Sequence, residues 1–163
     1  MSRQLEPYQL IERSIQKKFH KVLWTPFITA IKQYELIAPG DRIAVCISGG
    51  KDSMLMAKLL QLLQRHSDVP FEVIDLVMDP GYNAVNRQKI ESNAALLHIP
   101  VTIFETNIFD VTSGIEQSPC YLCARMRRGY LYSKARELSA ASVNAWYKMD
   151  IVPVDTKDGK PVS

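Results

Sequence analysis

The stretch Arg42–Arg65, RIAVCISGGKDSMLMAKLLQLLQR, joins three kinds of sequence whose order decides the fold. Five apolar residues, Ile43 to Ile47, lie between Pro39-Gly40-Asp41 and Ser48-Gly49-Gly50, which reads as a short strand covered on both faces. Leu55, Leu59, Leu62 and Leu63 then fall at helical spacing, with Asp52 or Ser53 as the expected N-cap. A strand, a glycine turn and a helix N-terminus in that order form an anion site. The glycines let the main chain approach a phosphate closely, and the first helical amides carry the positive end of the dipole. Ser48 and Ser53 add hydroxyl donors, Lys51 a cation, and Asp52 a carboxylate able to hold a magnesium ion between phosphates. The expectation is a nucleotide-phosphate cradle over Ser48, Gly49, Gly50, Lys51, Asp52 and Ser53.

Two common phosphate loops are excluded. A Walker loop needs a glycine where Val45 stands and Ser or Thr after the lysine, where Asp52 stands. A dinucleotide loop needs spaced glycines, and Gly49 and Gly50 are adjacent and unaccompanied. An ordinary tight turn would explain the glycine pair but not the serines, lysine and aspartate around it. What remains resembles the PP-loop of ATP pyrophosphatases, which split ATP between its α and β phosphates.

The rest of the chain builds outward from that loop. A length of 163 residues allows one domain, and the 47% hydrophobic and 23% charged shares are ordinary for a soluble globular protein. No apolar run approaches the roughly 20 residues needed to span a bilayer, and the N-terminal MSRQLEPYQLIERS lacks the apolar core of a secretory signal. A cytoplasmic protein with reduced thiols is therefore expected, its three cysteines forming no disulfide framework. The net charge of +3 says little by itself about a nucleic-acid partner.

Residues 1–40 read as an N-terminal helical region. One helix is expected from Pro7 to about Lys21, with Leu10, Ile11, Ile15 and Phe19 as its apolar stripe and Lys17 and Lys18 in a basic flank. That flank suits a solvated face or a nucleic-acid backbone. A second helix follows from about Pro26 to Glu35. Residues 41–138 alternate strand and helix: Ile43–Ile47, the loop helix, Phe71–Met78, a helix over Asn83–His98 with Val85, Ile90, Ala94 and Leu97 facing a sheet, and Val101–Glu105. This alternation predicts an α/β fold, a parallel sheet with helices on both faces. Ligands of such sheets sit beyond the carboxyl ends of the strands, so an adenine is expected near Met78.

The second signal is Ser118-Pro119-Cys120-Tyr121-Leu122-Cys123-Ala124-Arg125-Met126-Arg127-Arg128-Gly129, at the head of a helix running to about Leu138. Cys120 and Cys123 have the spacing of thiols that share a metal centre or interconvert with a disulfide. The neighbouring arginines and the helix N-terminus favour the thiolate. Cys46, inside the first strand, reads as a small buried apolar residue.

SGGKDS, then DPGYN after the second strand, then PCYLCARMRRG are together similar to the PP-loop proteins of tRNA 2-thiocytidine biosynthesis, over about Gln9 to Leu138. The resemblance implies an adenine-nucleotide α-hydrolase-like fold and an ATP-dependent tRNA sulfurtransferase. Ser48 through Ser53 would hold ATP and Mg²⁺, with Lys51 and Asp52 catalytic. The enzyme would adenylate the cytidine O2, and a sulfur donor such as a cysteine desulfurase would supply the replacement atom. It further implies that Cys120 and Cys123 are two of three cysteine ligands of a [4Fe–4S] cluster, and that Arg125, Arg127, Arg128 and the basic N-terminal helix hold tRNA phosphates.

Residues 139–163, SAASVNAWYKMDIVPVDTKDGKPVS after Glu137-Leu138, leave that pattern, and no cysteine follows Cys123. A hairpin is expected over Ile151–Val162 around Asp158-Gly159, beside a parallel sheet left incomplete. The expectation is thus a truncated or inactive form of the enzyme, or one whose homodimer pools the cysteines of two chains. Two alternatives stay open on the sequence alone: another PP-loop tRNA-modifying ligase such as a lysidine synthetase, and a non-catalytic ATP- or metal-binding module.

Overall fold

Strand β1 (Arg42–Ile47) is the centre of the molecule because both of its faces and both of its edges are covered. In the computed structural model, which describes residues 4–112, 119–138, 142–145 and 150–153, Ile43 through Ile47 are each at most 3% exposed. β2 (Glu72–Asp79) pairs with β1 in parallel, Arg42 opposite Glu72 through Ile47 opposite Val77. β3 (Val101–Glu105) pairs in parallel with β2, Asp75 opposite Val101 through Asp79 opposite Glu105.

On the other edge of β1 lies β4 (Ser142–Ala145), parallel to it through Ile43–Ser142 and Ala44–Val143. β5 (Asp150–Pro153) closes that side antiparallel to β4, giving the order β3-β2-β1-β4-β5. The tail is therefore built differently from the sequence expectation. The hairpin pairs residues 150–153 back to 142–145, and Asp158-Gly159 lies outside the described residues. β4 extends the sheet by a fourth parallel strand.

Helices cover both faces, as the βα alternation requires. Side chains alternate across a strand with period two. Ile43, Val45 and Ile47 therefore meet Met54, Ala57 and Leu60 of α3 (Lys51–His66) and Ile90 and Ala94 of α4 (Ala84–Leu96). Ala44 and Cys46 face the opposite way. With Leu76 and Met78 they pack on Ile108 of α5 (Ile108–Thr112) and on Leu131 and Ala135 of α6 (Pro119–Glu137). Asn83 caps α4 by accepting from the Asn86 amide at 2.9 Å. Val85, expected to face the sheet, is instead 75% exposed, because it lies off the face that Ile90 and Ala94 share.

The N-terminal region departs from the expected single α-helix. α1 (Pro7–Arg13) gives way to π-helical turns over Ser14–Lys18 and His20–Trp24 before α2 (Thr25–Gln33). The Phe19 amide donates to the Ser14 carbonyl, five residues back, at 2.9 Å. A wider turn rotates the stripe: Ile15 is buried against Leu59 and Leu62, while Leu10 and Phe19, predicted beside it, are 51% and 41% exposed. Glu12 fixes this region to α3. Its carboxylate takes Lys58 Nζ at 2.7 Å and Arg65 Nη1 at 2.9 Å. Lys58 also donates to Gln61 Oε1 and to the Leu97 carbonyl, each at 2.7 Å, which accounts for a lysine with 1% exposure. Burial alone would raise the Glu12 pKa. The hydrogen bonds and charges of Arg65 and Lys58 outweigh it and hold the carboxyl below its usual range. Among the described residues no helix is long and apolar enough to cross a membrane.

Candidate nucleotide and cysteine site

The bend between β1 and α3 depends on Gly49. Its φ is +88°, and a Cβ there would lie 2.7 Å from Cγ1 of Ile90 on α4, so neither the dihedral nor the space admits a side chain. Gly50 is extended, with φ −76° and ψ 162°, and is the N-cap. The helix therefore starts ahead of Asp52 and Ser53, the expected caps. Its first ladder bond runs from the Met54 amide to the Gly50 carbonyl at 3.2 Å. The amides of Lys51, Asp52 and Ser53 are left at the open end of the helix without an intrahelical acceptor.

The two serines brace the bend. The Ser48 amide donates to Ser53 Oγ at 3.2 Å, the two hydroxyl oxygens are 3.0 Å apart, and the Gly50 amide donates to Ser48 Oγ at 3.3 Å. Ser53 Oγ in turn donates to the Gly50 carbonyl at 3.0 Å. Lys51 Nζ lies 2.9 Å from Asp52 Oδ1, with both side chains largely exposed at 90% and 64%. A surface pair of this kind is weak, so both groups are available to a ligand.

Beside the loop, the end of β2 makes a second rigid corner. Asp79 Oδ1 accepts from the amides of Gly81 at 2.9 Å and Tyr82 at 2.6 Å, closing a turn in which Gly81 has φ +111°. The other oxygen of Asp79 meets Arg87 Nη1 at 3.3 Å, and Arg87 also pairs with Glu91 at 3.3 Å and with Glu105. The Tyr82 ring packs edge-on to Phe109, centroids 6.0 Å apart, and the Arg127 guanidinium lies 5.5 Å over the same phenyl ring. Burial raises the Tyr82 pKa. The hydrogen bond and charge of Arg127 work against that rise, and the charges of Asp79 and Cys123 add to it.

These pieces meet at one small cavity of about 10 Å³, lined by Cys46, Ile47, Ser48, Met78, Tyr82, Arg127 and Leu131. The structure thus brings together the loop residues Ser48–Ser53 and places Met78 in the wall next to Ser48. An adenine ring is larger than that cavity. Arg125 and Arg128 are exposed on α6, whereas Arg127 is half-buried. Lys17 and Lys18 are exposed on the other side of the sheet, in the segment packed over α3. Cys123 is partly buried against the core cluster that holds Met78 and Cys46; the side chain of Cys120 lies outside the described residues. Burial pushes the Cys46 thiol up to about 12, the behaviour of an inert core residue. Among the described residues no three His, Cys, Asp or Glu side chains are grouped to hold a metal ion.

Tyr82 lies in the DPGYN stretch that the sequence singled out, whereas the inward position of Arg127 escaped the sequence reading. A signal existed: Cys123, Arg127, Leu131 and Ala135 recur every four residues, which is one face of a helix, and the last two are buried.

The chain is similar to proteins of known activity. It is 32% identical over 142 residues to a tRNA-cytidine(32) 2-sulfurtransferase of Nitrosospira multiformis, covering 85% of this chain and 48% of that protein. Proteins of the same name from Citrifermentans bemidjiense and Xanthomonas oryzae are 33% and 34% identical over 74% and 80% of this chain, and 49% and 44% of their own length. The chain spans about half the length of the curated relatives it matches. No family model matches it. Among solved structures, the U34-tRNA thiolase NcsA from Methanococcus maripaludis, determined with its [4Fe–4S] cluster, has the same fold: TM-score 0.56 at 21% identity, over 74% of this chain and 45% of that one. With the loop, the corner after β2 and the cysteine helix arranged as above, the chain is similar, over the part of their length that it spans, to the tRNA-cytidine(32) 2-sulfurtransferases, and it shares the fold of the thiolase structure.

Proposed function

We propose that this chain carries the nucleotide-binding part of an ATP-dependent sulfurtransferase that modifies cytidine in tRNA. One observation supports the reading above the others: Ser48 of the loop and Arg127 of the cysteine helix line the same cavity. The loop and the cysteine helix thereby border one cavity, which supports a reaction centre common to both. The relatives' shared name supplies the substrate class.

The loop fits a nucleotide. The site of a Cβ at Gly49 is blocked by Ile90, so the main chain is bare where phosphates approach, and three amides and Lys51 face them. Asp52 would hold Mg²⁺. In the reaction proposed, the cytidine O2 attacks the α-phosphorus of ATP, the bond to the bridging oxygen breaks, and pyrophosphate leaves. A sulfur nucleophile from a donor such as a cysteine desulfurase then attacks C2, the C2–O bond breaks, and AMP leaves. Adenylation turns a poor oxygen leaving group into a good one, so the residues here work by alignment and by neutralising charge. Lys51 would stabilise charge on the departing pyrophosphate.

The fit to an iron–sulfur cluster is partial. Cys120 and Cys123 would be two thiolate ligands, and Cys46 does not qualify as a third, being sealed in β1 with its proton held. The remaining ligand would come from a second copy in a homodimer or from a portion of the relatives' length that this chain does not span. Exposed Arg125 and Arg128 on one face and Lys17 and Lys18 on the other would engage tRNA phosphates around the rim. The domains proposed are a helical region over 1–40, the nucleotide-binding unit over 41–138 and the tail over 139–163, in a cytoplasmic protein.

Pyrophosphate release from ATP, measured with and without unmodified tRNA, tests the reading. Release that rises with tRNA is the expected result. ATP binding without release under either condition would favour a non-catalytic nucleotide-binding module, and no ATP binding would remove the enzyme altogether.

A further inference from the structure

Arg127 stands apart from its neighbours on α6. Arg125 and Arg128 are exposed, but Arg127 falls on the stripe with Cys123, Leu131 and Ala135 that packs on the sheet. Its guanidinium lies 5.5 Å over the Phe109 ring, and Tyr82 lines the same cavity. From that position it enters the cavity wall with Ser48, the first residue of the loop, and Met78, near the end of β2. In a parallel sheet these carboxyl-terminal strand ends are where a ligand lies. A guanidinium is always charged and presents a planar fork of donors that matches phosphate oxygens, which a lysine does not. Lys51 occupies the far, solvent-facing end of the same loop with 90% of its side chain exposed. Lys51 is thus open to solvent, whereas Arg127 shares a cavity wall with Ser48.

We propose that Arg127 is a ligand of the nucleotide's α-phosphate, and that through it the cysteine helix is tied to the ATP loop. This rests on the ATP reading of the loop given above. The α-phosphate is the group that stays on the enzyme after pyrophosphate departs, so Arg127 holds the adenylated substrate while Lys51 loses its contact. The four-residue step from Cys123 to Arg127 makes the thiol turn and the phosphate contact parts of one rigid helix, one turn apart. The residue then contributes to the nucleotide site and not to the tRNA-binding surface formed by Arg125 and Arg128.

The test compares ATP, AMP and adenosine affinities by calorimetry, and tRNA affinity by filter binding, for the wild type, Arg127→Met, Arg127→Lys and Arg128→Met. Arg127→Met is expected to weaken ATP and AMP by the same factor, about 10- to 100-fold, the span of one charge-assisted hydrogen-bonded contact. Adenosine and tRNA affinities stay at wild-type values, and Arg128→Met shows the reverse pattern. Arg127→Lys keeps the charge without the fork and is expected to fall between; it carries the test if Arg127→Met does not fold by circular dichroism. An Arg127 variant that binds AMP as the wild type does, or loses tRNA instead, overturns the proposal while leaving the ATP reading in place. A wild-type protein that binds no adenine nucleotide overturns both.

Discussion

Two adjacent glycines carry different loads. A Cβ at position 49 meets Ile90 at 2.7 Å with φ at +88°, whereas at position 50 the nearest atom is Ser48 Oγ at 3.5 Å and φ is ordinary. Gly49→Ala is therefore expected to lose about 1–3 kcal/mol of stability and most nucleotide binding, while Gly50→Ala stays within about 1 kcal/mol of the wild type. Thermal melts with and without Mg-ATP check this, and equal losses at both positions would contradict the geometry. The sequence pointed to the loop through the order of its six residues. It misplaced the cap because Asp52 and Ser53 are good capping residue types, and side-chain type does not reveal which carbonyl accepts the first helical bond. The serines were legible as polar and not as braces, since that role depends on the bend bringing Ser48 and Ser53 within 3.0 Å. Arg127 was read with its exposed neighbours because a basic cluster hides the period of the helix beneath it.

At the level of elements, the strand–helix alternation over residues 41–138 was readable from apolar runs and turn residues, and each predicted strand is present to within a residue or so. The N-terminal region was not. Its apolar stripe was drawn with α-helical period, and the π-helical turns after Arg13 break that period. What pins this region is ionic: Glu12 between Lys58, 1% exposed, and Arg65, 49% exposed. Glu12→Gln leaves the Lys58 cation in the interior without its countercharge and is expected to cost about 3 kcal/mol. Arg65→Ala removes a half-exposed partner and is expected to cost under about 1 kcal/mol. Urea titrations of the two variants check the ranking; a larger loss from Arg65→Ala would mean that the exposed pair, not the buried one, does the anchoring.

On the scale of the whole molecule, an interior acid makes stability depend on pH. Asp75 is 5% exposed on β2, opposite Val45 and so on the α3 side of the sheet, and its Oδ1 has no hydrogen-bond partner among the described residues. Burial pushes its pKa from 3.8 up to about 7. The native state therefore holds a proton that the unfolded chain releases, and the stability this gives is full below about pH 4 and is lost as pH rises toward and through 7. Asp75→Asn removes that dependence, so the wild type is expected to fall behind the variant by on the order of 4 kcal/mol at pH 8 compared with pH 4. Chemical denaturation at the two pH values checks it, and parallel curves for the two proteins would place the proton elsewhere.

The pairing of β1 with β4 escaped the sequence reading for a related reason: Ser142–Ala145 is short and scarcely apolar, and its partners, Ile43 and Ala44, lie far upstream. That separation has a consequence during synthesis. One border of the most apolar strand waits for residue 142 to leave the ribosome, so the nascent protein carries a sticky flank uncovered while the residues between Ile47 and Ser142 are made, in need of a holding chaperone or of speed.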